Sequence, residues 1–325
     1  NQGVYQMNYY FAPMEGITGY VYRTVHHRHF PGMDKYFSPF LTPGAKKAMA
    51  PRECRDVLPE HNQGIPLVPQ ILTNRAEDFL RACQSLKEYG YQEVNLNLGC
   101  PSRTVVSKKK GAGFLAYPKE LDAFLDEIFS GTDLPISVKT RIGMESPEEF
   151  GPLLDLFNRY PIKELIIHPR VQADYYKHHP NLETFAWALG QAKAPLCYNG
   201  DLFTGKLFED FTRRFPGVKT VMIGRGLIRN PALVRELQGG EPLTKGQLAA
   251  FLDDLLKEYE TVLSGERPVL FKMKELWFYM GSLFEGGEKC RKKIKKAQRL
   301  SEYKEAAAEL FSAAELKKSL SAFDV

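Results

Sequence analysis

Eight short runs of apolar, β-branched or aromatic residues recur between positions 9 and 226, each followed by a stretch of helical periodicity. The runs are YYFAPM (9–14), KYFSPF (35–40), PLVPQIL (66–72), EVNLNLG (93–99), PISVKTR (135–141), ELIIHPR (164–170), PLCYNG (195–200) and KTVMIGRG (219–226). Between them lie segments such as RAEDFLRACQSLKEYG, PKELDAFLDEIF and SPEEFGPLLDLFNRY, with apolar residues on one face and charges on the other. Strand and helix alternating eight times predicts an α/β fold, a (β/α)8 TIM barrel. An open, doubly wound sheet competes, but polar residues close nearly every run, which favours the barrel. Past Gly239–Gly240 and Pro242 the strand pattern stops. The chain thus divides into a barrel, 1–240, and a helical region, 241–325, without a convincing strand.

In such barrels chemistry collects at the C-terminal ends of the strands. Those ends hold Met14 and Glu15, Gln70, Asn97 with Cys100, Lys139 with Arg141, His168 with Arg170, Asn199 with Asp201, and Gly224-Arg225-Gly226. The last two stations, NGD (199–201) and GRG (224–226), predict a phosphate site, because glycines let backbone N–H groups approach an anion. A helix is expected to follow from Pro231. Lys139 and Arg141 alternate on one strand and so face the same side. A cation at that place suits a flavin, whose reduced ring carries negative charge. The station with Cys100 differs, because the thiol sits between Gly99 and Pro101, in a turn that reads as built to present it.

Other totals exclude more than they assign. The chain has 325 residues, 43% hydrophobic and 26% charged, without a run of about 18 apolar residues, so no membrane span is expected. The start NQGVYQMNYYF shows no basic segment followed by an apolar one, so no secretory signal is expected. Five cysteines without a C-x-x-C pair argue against a disulfide framework and fit a reducing, cytoplasmic location. No metal site is expected: HHRH (26–29) and His178–His179 lack partners at ligand spacing and read as solvated faces. The stretch GAGFLA (111–116) matches a dinucleotide fingerprint but follows SKKK rather than a strand, and is set aside. A net charge of +5 implies a polyanionic partner only if the charge is clustered.

The ordered motifs APMEGIT (12–18), NLNLGCP (95–101), KKGAG (109–113), VKTRIG (138–143), IHPR (167–170), NGD and IGRG (223–226) resemble those of the tRNA-dihydrouridine synthases. The resemblance spans the barrel. It implies an FMN-dependent enzyme that reduces uridine in tRNA, with NADPH or NADH as a transient reductant. By the same resemblance Pro13 and Met14 contact the flavin, and Gln70 and Lys139 hold its ring. His168, Asn199, Gly200, Asp201, Gly224 and Arg225 serve ring edge and phosphate. Asn97, Arg141 and Arg170 meet the substrate base, and Cys100 protonates C5 after hydride reaches C6. Departures are Asn95 where the family usually has Asp, Thr73 where glycine is common, and Pro169 and Val171 in place of Gly and Thr.

The base must be splayed out of folded RNA to reach such a site. Surrounding phosphates are assigned to Lys109 with its neighbours and to KCRKKIKKAQR (289–299), where Lys289, Lys292, Lys296 and Arg299 form one helical stripe while Ile294 and Ala297 turn inward. A free pyrimidine, ribosomal RNA, and a non-catalytic RNA-binding barrel are the competing readings. Nothing fixes the oligomeric state; a monomer is the default expectation.

Overall fold

The computed structural model describes residues 6–323. Nine strands pair in parallel: β1 (Asn8–Phe11), β2 (Lys35–Phe37), β3 (Leu67–Val68), β4 (Gln70–Ile71), β5 (Val94–Leu98), β6 (Ile136–Thr140), β7 (Leu165–Ile167), β8 (Leu196–Asn199) and β9 (Thr220–Ile223). Their spatial order is β3-β2-β1-β9-β8-β7-β6-β5-β4. The two ends of that order are one expected strand, broken at Pro69. Proline has no N–H for the ladder, yet the Pro69 carbonyl accepts from the Asn95 N–H at 2.9 Å, and Leu41 bridges to Ile71. The sheet therefore closes on itself as a TIM barrel.

Alternation along the strands sorts the side chains. Val94, Leu96, Leu98, Val138, Val221 and Ile223 point outward into the core shared with the helices. Tyr10, Phe37, Val68, Ile166, Cys197 and Met222 form a separate apolar cluster inside the barrel. Opposite them, β4, β5 and β6 turn Gln70, Asn95, Asn97, Ser137 and Lys139 inward. The interior is thus apolar on one side and polar on the other, and the polar side leads to the site.

The helical region is packed onto the barrel by a shared aromatic core. Phe251, on the helix Lys245–Val262, lies 5.9 Å from the Tyr22 ring and 5.5 Å from the Phe30 ring, and His29 meets Asp254 at 2.6 Å. Three sequence expectations are corrected here. No helix starts at Pro231; one runs Arg225–Arg229 directly from Gly224, and another Leu233–Leu237. Asn230 makes the break, accepting the Leu233 N–H on its carbonyl and the Ala232 N–H on its side chain. The helical region does contain strand, a two-residue antiparallel pair, Phe284–Glu285 with Glu315–Leu316. And His26 is not solvated: it is buried, with Nδ1 against Tyr36 Oη at 2.6 Å and Nε2 against the Pro231 carbonyl at 3.0 Å. A carbonyl only accepts, so Nε2 carries the hydrogen, and burial lowers the pKa to about 4. His178 and His179 are exposed as expected.

Candidate active site

At the C-terminal pole a cavity opens between the ends of β1, β6, β7, β8 and β9. Pro13, Met14, Lys139, His168, Asn199, Gly200, Asp201, Gly224 and Arg225 line it. Of the residues assigned to a cofactor, Gln70 alone is not in the lining. Its amide is consumed one layer down, donating to Asn95 Oδ1 and accepting from Asn97 Nδ2, both at 2.9 Å. Gly224 is needed for space: a Cβ there would stand 3.1 Å from Met14 Sδ and 3.2 Å from Ala12 Cβ.

Lys139 is the distinctive cation of this cavity. Among the described residues nothing accepts a hydrogen bond from its ammonium or pairs with it. Burial, reinforced by the Arg141 guanidinium, lowers its pKa to about 8. His168 is held well below its ordinary pKa, first by burial and then by Arg141, Lys139, Arg170 and Arg225. Arg170 Nη1, which can only donate, lies 2.9 Å from His168 Nε2. The imidazole is therefore neutral with its hydrogen on Nδ1, a hydrogen-bond donor but not an acid.

The opposite wall is an ionic network around Asp201. Arg170 donates to both oxygens of Asp201, at 2.9 and 2.7 Å, and to the carbonyls of Tyr176, Lys177 and His178. Its donors all have partners within the chain, and through them it gathers the loop after β7. Asp201 also accepts from Arg225 at 2.8 Å, and that guanidinium lies 4.5 Å from the Tyr176 ring centroid and 5.1 Å from that of Phe203. Arg141 donates to the Val171 carbonyl at 3.0 Å and approaches Tyr176 from 5.4 Å. Tyr176 and Phe203, both in the lining, were missed from sequence because a single aromatic in a loop has no period to betray it.

Cys100 sits beyond β5, half-buried. Asn97 Oδ1 accepts the N–H groups of both Gly99 and Cys100 at 3.0 Å, which fixes the turn. The glycine-rich segment behind it is a support: Ala112 N–H donates to the Cys100 carbonyl at 3.0 Å. Gly111, at φ +58°, comes so close that a Cβ would lie 2.9 Å from that carbonyl oxygen. Two of the sequence departures have a place here. Asn95 Nδ2 donates to Ser137 Oγ at 2.9 Å, which passes its own hydrogen to Glu93 at 2.8 Å; an aspartate could not donate. Val171, lacking a hydroxyl, has its N–H taken by Asp174 at 3.1 Å.

The remaining substrate candidates lie on the surface. Lys109 is exposed, 4.7 Å from the Tyr117 ring. Lys292 and Lys296 are exposed on the helix Glu288–Lys296, with Ile294 and Ala297 buried as expected. The stripe ends at Lys296; Arg299 lies past the helix end. Among the described residues no cluster of His, Cys, Asp and Glu could hold a metal, and no helix is long and apolar enough to cross a membrane.

Known proteins resemble this chain in both sequence and fold. The family model described as dihydrouridine synthase (Dus) matches residues 10–322. The tRNA-dihydrouridine(16) synthase of Pseudomonas putida is 27% identical over 274 residues, 78% of this chain and 82% of that protein. The probable tRNA-dihydrouridine synthase 1 of a Synechocystis species is 24% identical over 317 residues, 94% of this chain and 86% of that protein. The structure of morphinone reductase in complex with tetrahydroNAD superposes with a TM-score of 0.51 at 12% identity, over 73% of this chain and 88% of that one. At that identity it shares the barrel fold.

Proposed function

The chain belongs to the dihydrouridine synthase family, and we propose on that premise that it reduces specific uridines of tRNA to 5,6-dihydrouridine with FMN. The observation that carries this is Lys139, a partnerless ammonium inside a glycine-lined cavity, at the side of the barrel where Asn97 holds Cys100. The lining fits a flavin mononucleotide: Gly200 and Gly224 give an anion access to backbone, Lys139 faces negative charge, and His168 Nδ1 offers a donor to a carbonyl. Bound there and reduced by NADPH or NADH, FMN would supply hydride to C6 of the uracil. Hydride arrival leaves charge at C5 and O4 of the base. Cys100 gives C5 its proton, and Asn97 keeps that thiol in place through the two N–H groups it holds. Neutral His168 is unsuited to this role. Asn97 Nδ2, with one hydrogen not given to Gln70, and Arg141 are the groups left to orient the base.

In this reading residues 1–240 are the catalytic unit and 241–325 the RNA-binding one, with Lys109, Lys292 and Lys296 on phosphates. A barrel acting on a free pyrimidine would need no exposed lysine stripe on an added helical region. The test is direct. Purified protein should be yellow, be bleached by NADPH or NADH, and regain its colour when mixed with tRNA lacking dihydrouridine. Recovery equally fast with free uridine would favour the small-molecule reading, and recovery with ribosomal RNA alone would change the substrate.

A further inference from the structure

The helix Glu266–Met280 is linked to the cavity wall through Phe323, which contacts both Tyr279 of the helix and Phe203 of the lining. Its inner face is tied down, with Lys272 Nζ donating to the Gly16 carbonyl beyond β1 at 2.6 Å. Its outer face carries Phe271 and Phe278, 52% and 63% exposed, the most exposed large apolar side chains among the described residues. Seven residues apart, they share a side and stand roughly 10 Å from each other along the axis. The Arg267 guanidinium lies 5.3 Å over the Phe271 ring. Phe278 meets Tyr279 at 5.1 Å and Phe323 at 6.1 Å, and Phe323 meets Phe203 at 6.0 Å. Phe203 is cavity wall. Rings thus run from the cavity wall to Phe278, and the Phe271–Arg267 pair stands about 10 Å further along the helix.

We propose that this path is a stacking track for unpaired nucleobases of RNA, with Phe278 receiving a base next to the one drawn into the cavity and Phe271 lying further out. The inference rests on the reading of the cavity as a uridine site in RNA and extends it to a site for the flanking strand. Exposed rings with the Arg267 guanidinium over one of them match what sequence-tolerant single-strand binding uses: a π-face for any base and a cation for its phosphate. Glu275 lies on the same face; burial raises its pKa, and nearby Lys272 works against that rise. The two most exposed rings, Phe271 and Phe278, stand apart on the helix rather than fused into one broad apolar patch, as a protein interface would need.

The probe is a tRNA transcript without dihydrouridine. Phe278→Ala should raise its Kd roughly 5- to 150-fold, the range expected when one stacked base goes unsupported. The slope of log Kd against log salt should stay as in the parent, because every phosphate is still held. Phe278→Trp should bind like the parent, and its added indole fluorescence should be quenched by the transcript. The melting temperature should not move in either variant, since the side chain is exposed. A Kd within twofold of the parent for Phe278→Ala, with no quenching in Phe278→Trp, overturns the track and leaves the uridine reading standing. A parent that binds no RNA overturns both. Loss of a dimer on sedimentation, with RNA affinity intact, would make the face a protein interface instead.

Discussion

The two sides of the cavity treat their cations in opposite ways. On the β7–β9 side Arg170 and Arg225 share the carboxylate of Asp201, and Arg170 has no donor left over. On the β5–β6 side Lys139 has no counter-ion among the described residues, and burial makes its charge costly. A buried cation with every donor satisfied is architecture. One without a counter-ion, half-buried in the wall of a cavity, stays available to an incoming negative charge. On the proposed reading, Lys139, Asn97 and Cys100 serve the reacting base, while the Arg170–Asp201 pair holds the loop after β7 in place.

The largest effect that sharpens this contrast is expected from Cys100→Ala. The variant should bind flavin, accept hydride from the nicotinamide donor and bind RNA as the parent does. Reoxidation of the reduced flavin by tRNA, followed by stopped flow, should slow by about 10²–10⁴, roughly 3–5 kcal/mol, the usual worth of a positioned acid. A rate within about threefold of the parent would place the proton donor elsewhere. A bound water would then be the candidate, since His168 is neutral.

On the scaffold side, Arg170→Ala should cost about 3 kcal/mol of stability in urea unfolding of the flavin-free protein. That is the low end for breaking a buried pair, because Asp201 keeps Arg225 and is partly exposed. Lysine should rescue little of it, having no fork to reach two oxygens and three carbonyls. If Arg170→Ala instead kept full stability and slowed only reoxidation, Arg170 would be a substrate ligand after all and the contrast would break.

Lys139→Met probes the other half. Flavin affinity at neutral pH should fall by about tenfold or more, the worth of one charge-assisted contact. The pH dependence carries a sign. Unfolded lysine titrates near about 10.4, and folded Lys139 near about 8, so between those values the unfolded chain binds more protons. Stability of the flavin-free parent should therefore rise with pH across that window, and Lys139→Met should lack the rise. Flavin affinity of the parent should decline above about pH 8 as the ammonium loses its proton. A variant with the parent's flavin affinity and pH profile would remove Lys139 from the site.

Much of this was readable in the chain because periodicity reports on what is buried. Strand alternation pointed Lys139 inward, and the strand ends located the pole where nine of the ten residues assigned to a cofactor line a cavity. What stayed hidden depends on partners far apart in sequence. Nothing in His168-Pro169-Arg170 says that Asp201 will take the guanidinium, or that Gln70 and Asn97 will satisfy each other. Tyr176 was equally silent, since its place follows from Arg170 gathering three carbonyls of its loop. The helix after β9 was misplaced because Pro231 is a good first residue for a helix, whereas Gly224 and Asn230 decided the actual boundaries.

The smallest effect applies the same paired-or-unpaired criterion to the surface. On the helix Glu288–Lys296, Lys293 pairs with Glu309 at 3.0 Å, while Lys289, Lys292 and Lys296 have no partner among the described residues. Pairing consumes a cation that could otherwise sit on a phosphate, so these neighbours should differ in their effect on RNA binding. Replacing Lys289, Lys292 and Lys296 by alanine should weaken tRNA binding by up to about tenfold near physiological salt. It should also flatten the slope of log Kd against log salt by about 0.7–0.9 for each phosphate no longer neutralised. Lys293→Ala should leave the slope nearly unchanged. The helix should survive in both cases, because Ile294 and Ala297 hold it from the buried side and alanine is the best helix former. Equal slopes for the triple variant, for Lys293→Ala and for the parent would mean that the stripe is a solvated face, and that RNA is held at Lys109 and the cavity rim instead.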